Sequence, residues 1–241
     1  MENNKHAEQM IKIAILISAD AEWNVITNIH KKCEVLESPL GQYFQPSLNL
    51  NGTSQPIIYY HGGWGKISAA ATTQYVIQRW NPRLIINIGT CGGFTNKVNK
   101  FDIILVKKTV VYDICERAGN NDEHINHYTT EFDHSWLTNT PLNDLRKGII
   151  VSADQDLDGK AIPNLIQKYD AIAADWESGA IAYVCRKSRT KCLILRGVSD
   201  IVDETGSEIY KNNDTYIQST EIVMQKLVNL LPDFLFASFD N

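Results

Sequence analysis

Leu84-Ile-Ile-Asn-Ile88, running into Gly89-Thr-Cys-Gly-Gly93, sets the class of fold. The first five residues are almost continuously apolar, with no alternation, so they read as a strand covered on both faces. Ahead of them, Ile67 to Trp80 is Ala-rich and free of Gly and Pro. That stretch reads as a helix, stopped by Asn81-Pro82. The pattern recurs outward in both directions. Ile13-Ala-Ile-Leu-Ile17 is a buried strand with a helix starting near Asp20, and Ser38-Pro-Leu-Gly41 is a turn. Pro56 to His61 is a strand ending in the loop Gly62-Gly-Trp-Gly65. Asp102 to Val111, Gly148 to Ser152, Ala171 to Ala174 and Lys191 to Arg196 are further strands. Helices are expected at Glu177 to Lys187 and at Thr215 to Leu230, the latter from the spacing of Ile217, Ile222, Val223, Leu227 and Leu230. Residues 113–145 are polar and show no period, so they read as a long excursion with little regular structure. The aromatic tail after Pro232 is expected to pack on the body or on a second subunit. Buried strands alternating with helices predict an α/β fold with a mixed, mainly parallel sheet covered on both faces.

The 241 residues suit one large α/β domain, with 1–10 as a mobile leader. A formal charge of −5 disfavours nucleic acid as the main partner, whereas an uncharged nucleoside remains open. Five cysteines, with no Cys-x-x-Cys, read as free thiols in a reducing cytoplasm. The apolar run at 13–17 is too short for a signal core and follows a polar stretch. No segment approaches the ~20 apolar residues that span a membrane.

Several motifs fail on inspection. Gly65-Lys66 lacks the other residues of a phosphate loop, having Tyr60 and Ile67 at the remaining positions. Cys91 breaks a dinucleotide fingerprint. Asp154-x-Asp-x-Asp-Gly159 opens like a calcium loop, but Leu165 stands where the closing Glu belongs. His124, His127 and His134 match no common zinc spacing and read as solvated loop residues. The sequence suggests no metal and no organic cofactor.

Ligand sites in such folds lie at the carboxyl ends of strands. Four polar clusters fall there: Ser18–Glu22, Gly89–Gly93, Asp175–Ser178 and Arg196–Asp200. Each has a plain structural alternative. Glu22 sits where a helix favours negative charge, and Asp175 and Glu177 precede a helix, Asp175 reading as its cap. Thr90 with Gly92-Gly93 suits a tight turn, and Asp200 suits a cap or a partner of Arg196.

Taken in order, Ala21-Glu22, Asn87-Ile-Gly-Thr-Cys-Gly-Gly-Phe94, Ala174-Asp-Trp-Glu-Ser-Gly-Ala-Ile-Ala-Tyr-Val184 and Arg196-Gly-Val-Ser-Asp200 resemble the nucleoside phosphorylase and nucleosidase superfamily. Within it the chain is most similar to the 5′-methylthioadenosine/S-adenosylhomocysteine nucleosidases of methionine salvage, including the plant type. The resemblance runs from about residue 11 to residue 231. It implies a three-layer α/β/α sandwich and a homodimer. It also implies a purine nucleoside as substrate, with Asp200 protonating the base at its five-membered ring and Ser199 orienting Asp200. Glu177 would bind the ribose hydroxyls, and Glu22 would activate water, held by Thr90 and Arg196. Backbone groups of Gly89–Gly93, Gly92 among them, would line the same region. Such cleavage passes through an oxocarbenium-like sugar, for which paired carboxylates suit acid, base and cation-stabilising roles.

Phosphorylases of this superfamily use phosphate as the nucleophile, which takes positive charge to hold. Here the strand position that carries an Arg in the bacterial purine type is Asn87, and the first loop offers Asp20 and Glu22, so hydrolysis is favoured. Two departures bear on substrate. The place of a base-stacking Phe is taken by Asp156 or Leu157, which leaves Leu157 as the expected packing residue. The residue before the catalytic Glu, commonly Met, is Trp176, whose bulk is expected to favour methylthioadenosine over adenosylhomocysteine; the alternative is that Trp176 points into the core. The rival functions are a phosphorylase and a binding protein without catalysis.

Overall fold

The computed structural model describes residues 11–50, 53–137, 145–210 and 212–239; the leader expected at 1–10 lies outside them. In chain order the elements are β1 (Ile13–Ile17), α1 (Asp20–Ile29), β2 (Leu36–Ser38), β3 (Gly41–Phe44), β4 (Ser47–Leu50), β5 (Thr53–His61), α2 (Gly65–Trp80), β6 (Leu84–Phe94) and β7 (Ile103–Val111). They continue with α3 (Asn121–Tyr128), β8 (Thr130–Glu131), β9 (Arg146–Ser152), α4 (Ile162–Tyr169), β10 (Ala171–Asp175), α5 (Ser178–Lys187), β11 (Lys191–Asp203), β12 (Gly206–Ser207) and α6 (Asn213–Phe239).

All five residues of β1 are buried, and their alternation defines the layers. Ile13, Ile15 and Ile17 pack with Trp23 and Ile26 of α1 and with Val223, Met224 and Leu227 of α6. Ala14 and Leu16 pack with Ala69 and Val76 of α2 and with Ile181 and Cys185 of α5. A strand whose two faces meet two helical layers needs an apolar residue at every position, because each side chain buried is worth about 1.5–3 kcal/mol. The result is the three-layer α/β/α arrangement, with β1 held in parallel between β5 and β6.

Beyond β6 the sheet closes on itself. β6 pairs with β11, β11 with β7, β7 with β9, β9 with β10, and β10 again with β6. β6 therefore belongs both to the open arm β6-β1-β5-β3-β2 and to a five-strand ring.

The structure corrects three sequence expectations and fills one gap. Gly89–Gly93 is no turn: β6 continues through it to Phe94, because both β10 and β11 offer backbone partners there. The excursion is not irregular throughout, since it contains α3, capped by the Asn120 side chain on Asp122 N–H, and β8. α3 has one buried residue, Ile125, too little to give a period. Residues 153–170, unassigned from sequence, hold a 3-10 turn at Gly159–Ala161 and then α4, with Pro163 in its first turn. Finally, α6 does not end at Leu230 but runs through Pro232; Phe234 and Leu235 beyond it are core residues, so that part of the tail packs on the body, one of the two expected arrangements. Its buried face is Val223, Met224, Leu227 and Leu231, while Ile217 and Ile222 are exposed. No helix among the described residues is long and apolar enough to cross a membrane, and all five cysteines are free.

Candidate active site

The parallel ladder between β6 and β11 places the chemistry. Arg196 pairs with Gly89, Gly197 with Thr90 and Val198 with Cys91, after which Asp200 pairs with Gly92, leaving Ser199 as the extra residue of a bulge. Consecutive residues of a regular strand face opposite sides. The bulge removes that alternation locally, so the Ser199 hydroxyl lies 2.6 Å from Asp200 Oδ1. Asp200 then faces the side of Thr90 and Gly92 and not that of Arg196.

Glu22 lies in the first turn of α1 and is buried. Its Oε2 accepts the Ala19 N–H at 3.2 Å, tying down the helix start. Its Oε1 accepts from Thr90 N–H at 2.6 Å and Thr90 Oγ1 at 2.9 Å. The helix-start role and the site role thus belong to the same carboxylate. Gly89 is obligatory beside it, because a Cβ there would lie 2.8 Å from Glu22 Oε1.

Arg196 does not hold Glu22. Its guanidinium is buried, donating from Nε to Asp175 Oδ2 at 2.7 Å and from Nη2 to Asn87 Oδ1 at 2.5 Å. Asp175 also accepts from the Ser152 hydroxyl at 2.6 Å and from Ser178 N–H, capping α5 as expected. Arg196 therefore props β10 against β6 and β11 and does not line the cavity.

Glu177 follows β10 and accepts the Gly65 N–H at 2.9 Å, the first amide of α2. Burial, followed by the charge of Asp175, pushes its carboxyl up to about 8. Burial likewise raises Asp200, against the opposing hydrogen bonds of Ser199 and Ser207. The Ser199 hydroxyl lies within reach of both Cys91 O, at 3.2 Å, and Asp200 Oδ1. With one proton it donates fully to only one of them. The shorter bond is the one to Asp200 Oδ1, so Ser199 donates there and fixes the carboxyl in place.

These groups meet in one cavity of 780 Å³, within the usual range for small-molecule sites. Glu22, Thr90, Gly92, Leu157, Trp176, Glu177, Ser199 and Asp200 all line it; of the residues singled out from sequence, only Arg196 does not. Trp176 faces the cavity and not the core, edge-to-face with Trp64 at 6.1 Å between ring centroids. Leu157 lies against Phe94 and Val202, and its carbonyl accepts from Tyr210 Oη at 2.9 Å. Sequence reasoning missed Trp64, Tyr112, Tyr210 and Tyr216 in the lining, and Ser207 behind Asp200. Tyr216 stands beside Glu22, with burial and that charge pushing its phenol up to about 12. Its signal was its place at the open end of a helix whose core face begins only at Ser219 and Thr220. None of the described residues of 113–145 lines the cavity; α3 packs on β7 and α5 instead.

Lys66, the one basic residue of the α2 start, is taken up by Asp113 and by Asp154, whose Oδ2 is 3.6 Å away. Among the described residues lining the cavity there are six carboxylates (Asp20, Glu22, Asp156, Asp175, Glu177 and Asp200) and no Lys, Arg or His. Asp175 is paired with Arg196, and burial raises Glu177 and Asp200, so what counts against a phosphate is that no basic side chain among these residues faces the cavity to hold it.

Comparison with known proteins agrees with this geometry. The 5′-methylthioadenosine/S-adenosylhomocysteine nucleosidase of Buchnera aphidicola is 27% identical over 86% of this chain and 98% of its own. The enzyme of that name from Bacillus subtilis is 26% identical over 70% of this chain and 79% of its own. The fold matches the Helicobacter pylori nucleosidase bound to butyl-thio-DADMe-Immucillin-A, with a TM-score of 0.76, 21% identity and coverage of 93% and 99%. It also matches the futalosine hydrolase of H. pylori, with a TM-score of 0.75, 20% identity and coverage of 92% and 97%. The family model described as the phosphorylase superfamily matches residues 15–235, and the chain belongs to that superfamily.

Proposed function

We propose that this protein is an N-ribosyl hydrolase that cleaves the N-glycosidic bond of a purine nucleoside. The substrate is 5′-methylthioadenosine, with S-adenosylhomocysteine as a second one, and adenine is released. The observation that carries this is the cavity lining, which among the described residues offers acids and no basic side chain to hold a phosphate nucleophile. Asp200, raised by burial, donates its proton to the departing base at the five-membered ring. Glu177 binds the ribose hydroxyls. Burial raises its carboxyl to about 8, so cleavage draws on the form of the protein in which Glu177 has already lost its proton to solvent, and the carboxylate then stabilises the sugar cation. Glu22, fixed by Thr90 and Ala19, takes a proton from the water that attacks the anomeric carbon. The bond to nitrogen breaks, the bond to water oxygen forms, and the two proton transfers balance.

The resemblance of the site motifs supports a cytoplasmic homodimer active in methionine salvage. The exposure of Trp64, which lines the cavity, and of Ile67 three residues on, at 62% and 84%, supports a subunit contact on this side of the molecule. Light scattering tests the subunit count. The reaction is tested by adenine release from 5′-methylthioadenosine with and without phosphate, using Glu22→Gln and Asp200→Asn as controls. Phosphate-independent release, lost in both variants, is expected. Release only with phosphate would make the chain a phosphorylase, and tight binding without release would make it a binding protein.

A further inference from the structure

A second cavity lies at the opposite end of two strands that lead to the nucleoside site. Its volume is 510 Å³, and its charged lining is Lys97, Lys107, Arg146 and Lys147 with the single carboxylate of Asp170. Arg146 and Lys147 open β9, and every later residue of that strand is buried. Asp170 ends α4, directly before β10. At the other end of β10, Asp175 lines the nucleoside cavity, bonded to Ser152 at the other end of β9. β9 has seven residues, so about 20 Å separates its two ends.

Distant parts of the chain supply the four cations. Lys97 sits in the turn after β6, its N–H bonded to Phe94 O at 3.0 Å. Lys107 is the extra residue of a bulge in β7, where Val106 pairs with Gly148 and Lys108 with Ile149. A bulge re-aims side chains; here Lys107 lines the cavity, while Lys108 meets Glu131 at 3.0 Å. Arg146 donates from Nη2 to Lys97 O at 3.0 Å, which holds the guanidinium in place without neutralising it. Other surface lysines have carboxylate partners, Lys66 with Asp113, Lys100 with Glu208 and Lys168 with Asp122. Among the described residues, none of the four cavity cations is in an ion pair, with Asp170 or with any other acid. Like charges gathered in this way repel one another, in a chain whose formal charge is −5. An anion that fits between them removes the repulsion and gains charge-assisted hydrogen bonds.

We propose that this cavity binds a compact multivalent phosphate of the diphosphate class. The guanidinium offers a planar fork to one phosphoryl group, and the three ammonium groups close on the rest from flexible stems. The volume is that of a small-molecule site. Four cations drawn into one depression do not make the extended basic stripe that follows a nucleic acid backbone. The cavity shares no lining residue with the nucleoside site, so the inference stands apart from the function proposed above.

Inorganic diphosphate, orthophosphate and sulfate are titrated calorimetrically into the wild-type chain at constant ionic strength. The same titrations are made with Arg146→Gln/Lys147→Gln, with Lys97→Gln/Lys107→Gln and, as a control, with Lys31→Gln/Lys32→Gln at exposed positions after α1. Far-ultraviolet dichroism checks that each variant is folded. Diphosphate is expected to bind at a single site per chain and more tightly than orthophosphate or sulfate. Each cavity variant should weaken it by about tenfold or more, the worth of one lost charge-assisted bond, while the control binds as the wild type does. Diphosphate should also raise the unfolding temperature of the wild type and the control, and leave that of the cavity variants nearly unchanged. No saturable binding to the wild type, undiminished affinity in both cavity variants, or equal weakening in the control overturns the proposal.

Discussion

Glu177→Gln is expected to stabilise the protein at alkaline pH while removing its activity. Burial and Asp175 raise this carboxyl from its ordinary 4.5 to about 8. The folded state therefore holds a proton that the unfolded chain releases between those two values. The stability this contributes is fully present below pH 4.5 and is lost as pH rises through about 8. The span sets an upper limit of about 5 kcal/mol on the cost of ionising Glu177 in the folded protein. Water reaches the carboxylate from the cavity, which brings the expected cost down to about 2–3 kcal/mol. Glutamine keeps the acceptor for Gly65 N–H, 2.9 Å away in the wild type, and never ionises. Urea unfolding at pH 4, 6, 7 and 9 measures the difference. The variant should match the wild type at pH 4, gain through neutrality and level off above about pH 8. Adenine release should fall by about a hundredfold or more, because the ionised partner of the sugar cation is gone. A stability difference that does not change with pH, or a wild type more stable at pH 9, would refute the argument.

Other substitutions separate position from chemistry. Thr90→Val removes the hydroxyl donor on Glu22 but leaves the 2.6 Å backbone bond; kcat should drop about tenfold, with Thr90→Ser near wild type in the same assay. Gly89→Ala places a methyl 2.8 Å from Glu22 Oε1 and must displace it. Activity should fall about a hundredfold, with little change in the far-ultraviolet dichroism. Arg196→Met strands Asp175 and Asn87 in the interior, a loss of about 3–5 kcal/mol in urea unfolding. Adding Asp175→Asn should recover part of that loss.

The parts of this fold legible in the sequence were those where one short segment carries its own signal. β1 is apolar at every position, and the start of β6 at every position but Asn87, because both faces are covered. What sequence missed depends on distant partners. Gly89–Gly93 looks like a turn until β10 and β11 are placed beside it. Pro232 looks like a stop, yet α6 continues because Phe234 and Leu235 find a core to enter. The acids of the site were readable because their types and order carry chemistry. The tyrosines were not, since Tyr112, Tyr210 and Tyr216 lie in segments whose approach to the cavity only the tertiary fold determines. Arg196 was located correctly but partnered wrongly: the bulge at Ser199 turns Asp200 to the other face, and the guanidinium meets Asp175.

The five-strand ring has a consequence for motion. β6 pairs with β1, β10 and β11, and β11 with β6, β7 and β12, beneath helices, so their amides are expected to exchange with solvent only on global unfolding. Thr90 and Asp200 stand on these slowest staves. A nucleoside is then expected to enter by way of the segments at 62–65, 153–158 and 204–210. There a few turns separate bound from bulk water, and exchange should be fast and quenched by ligand.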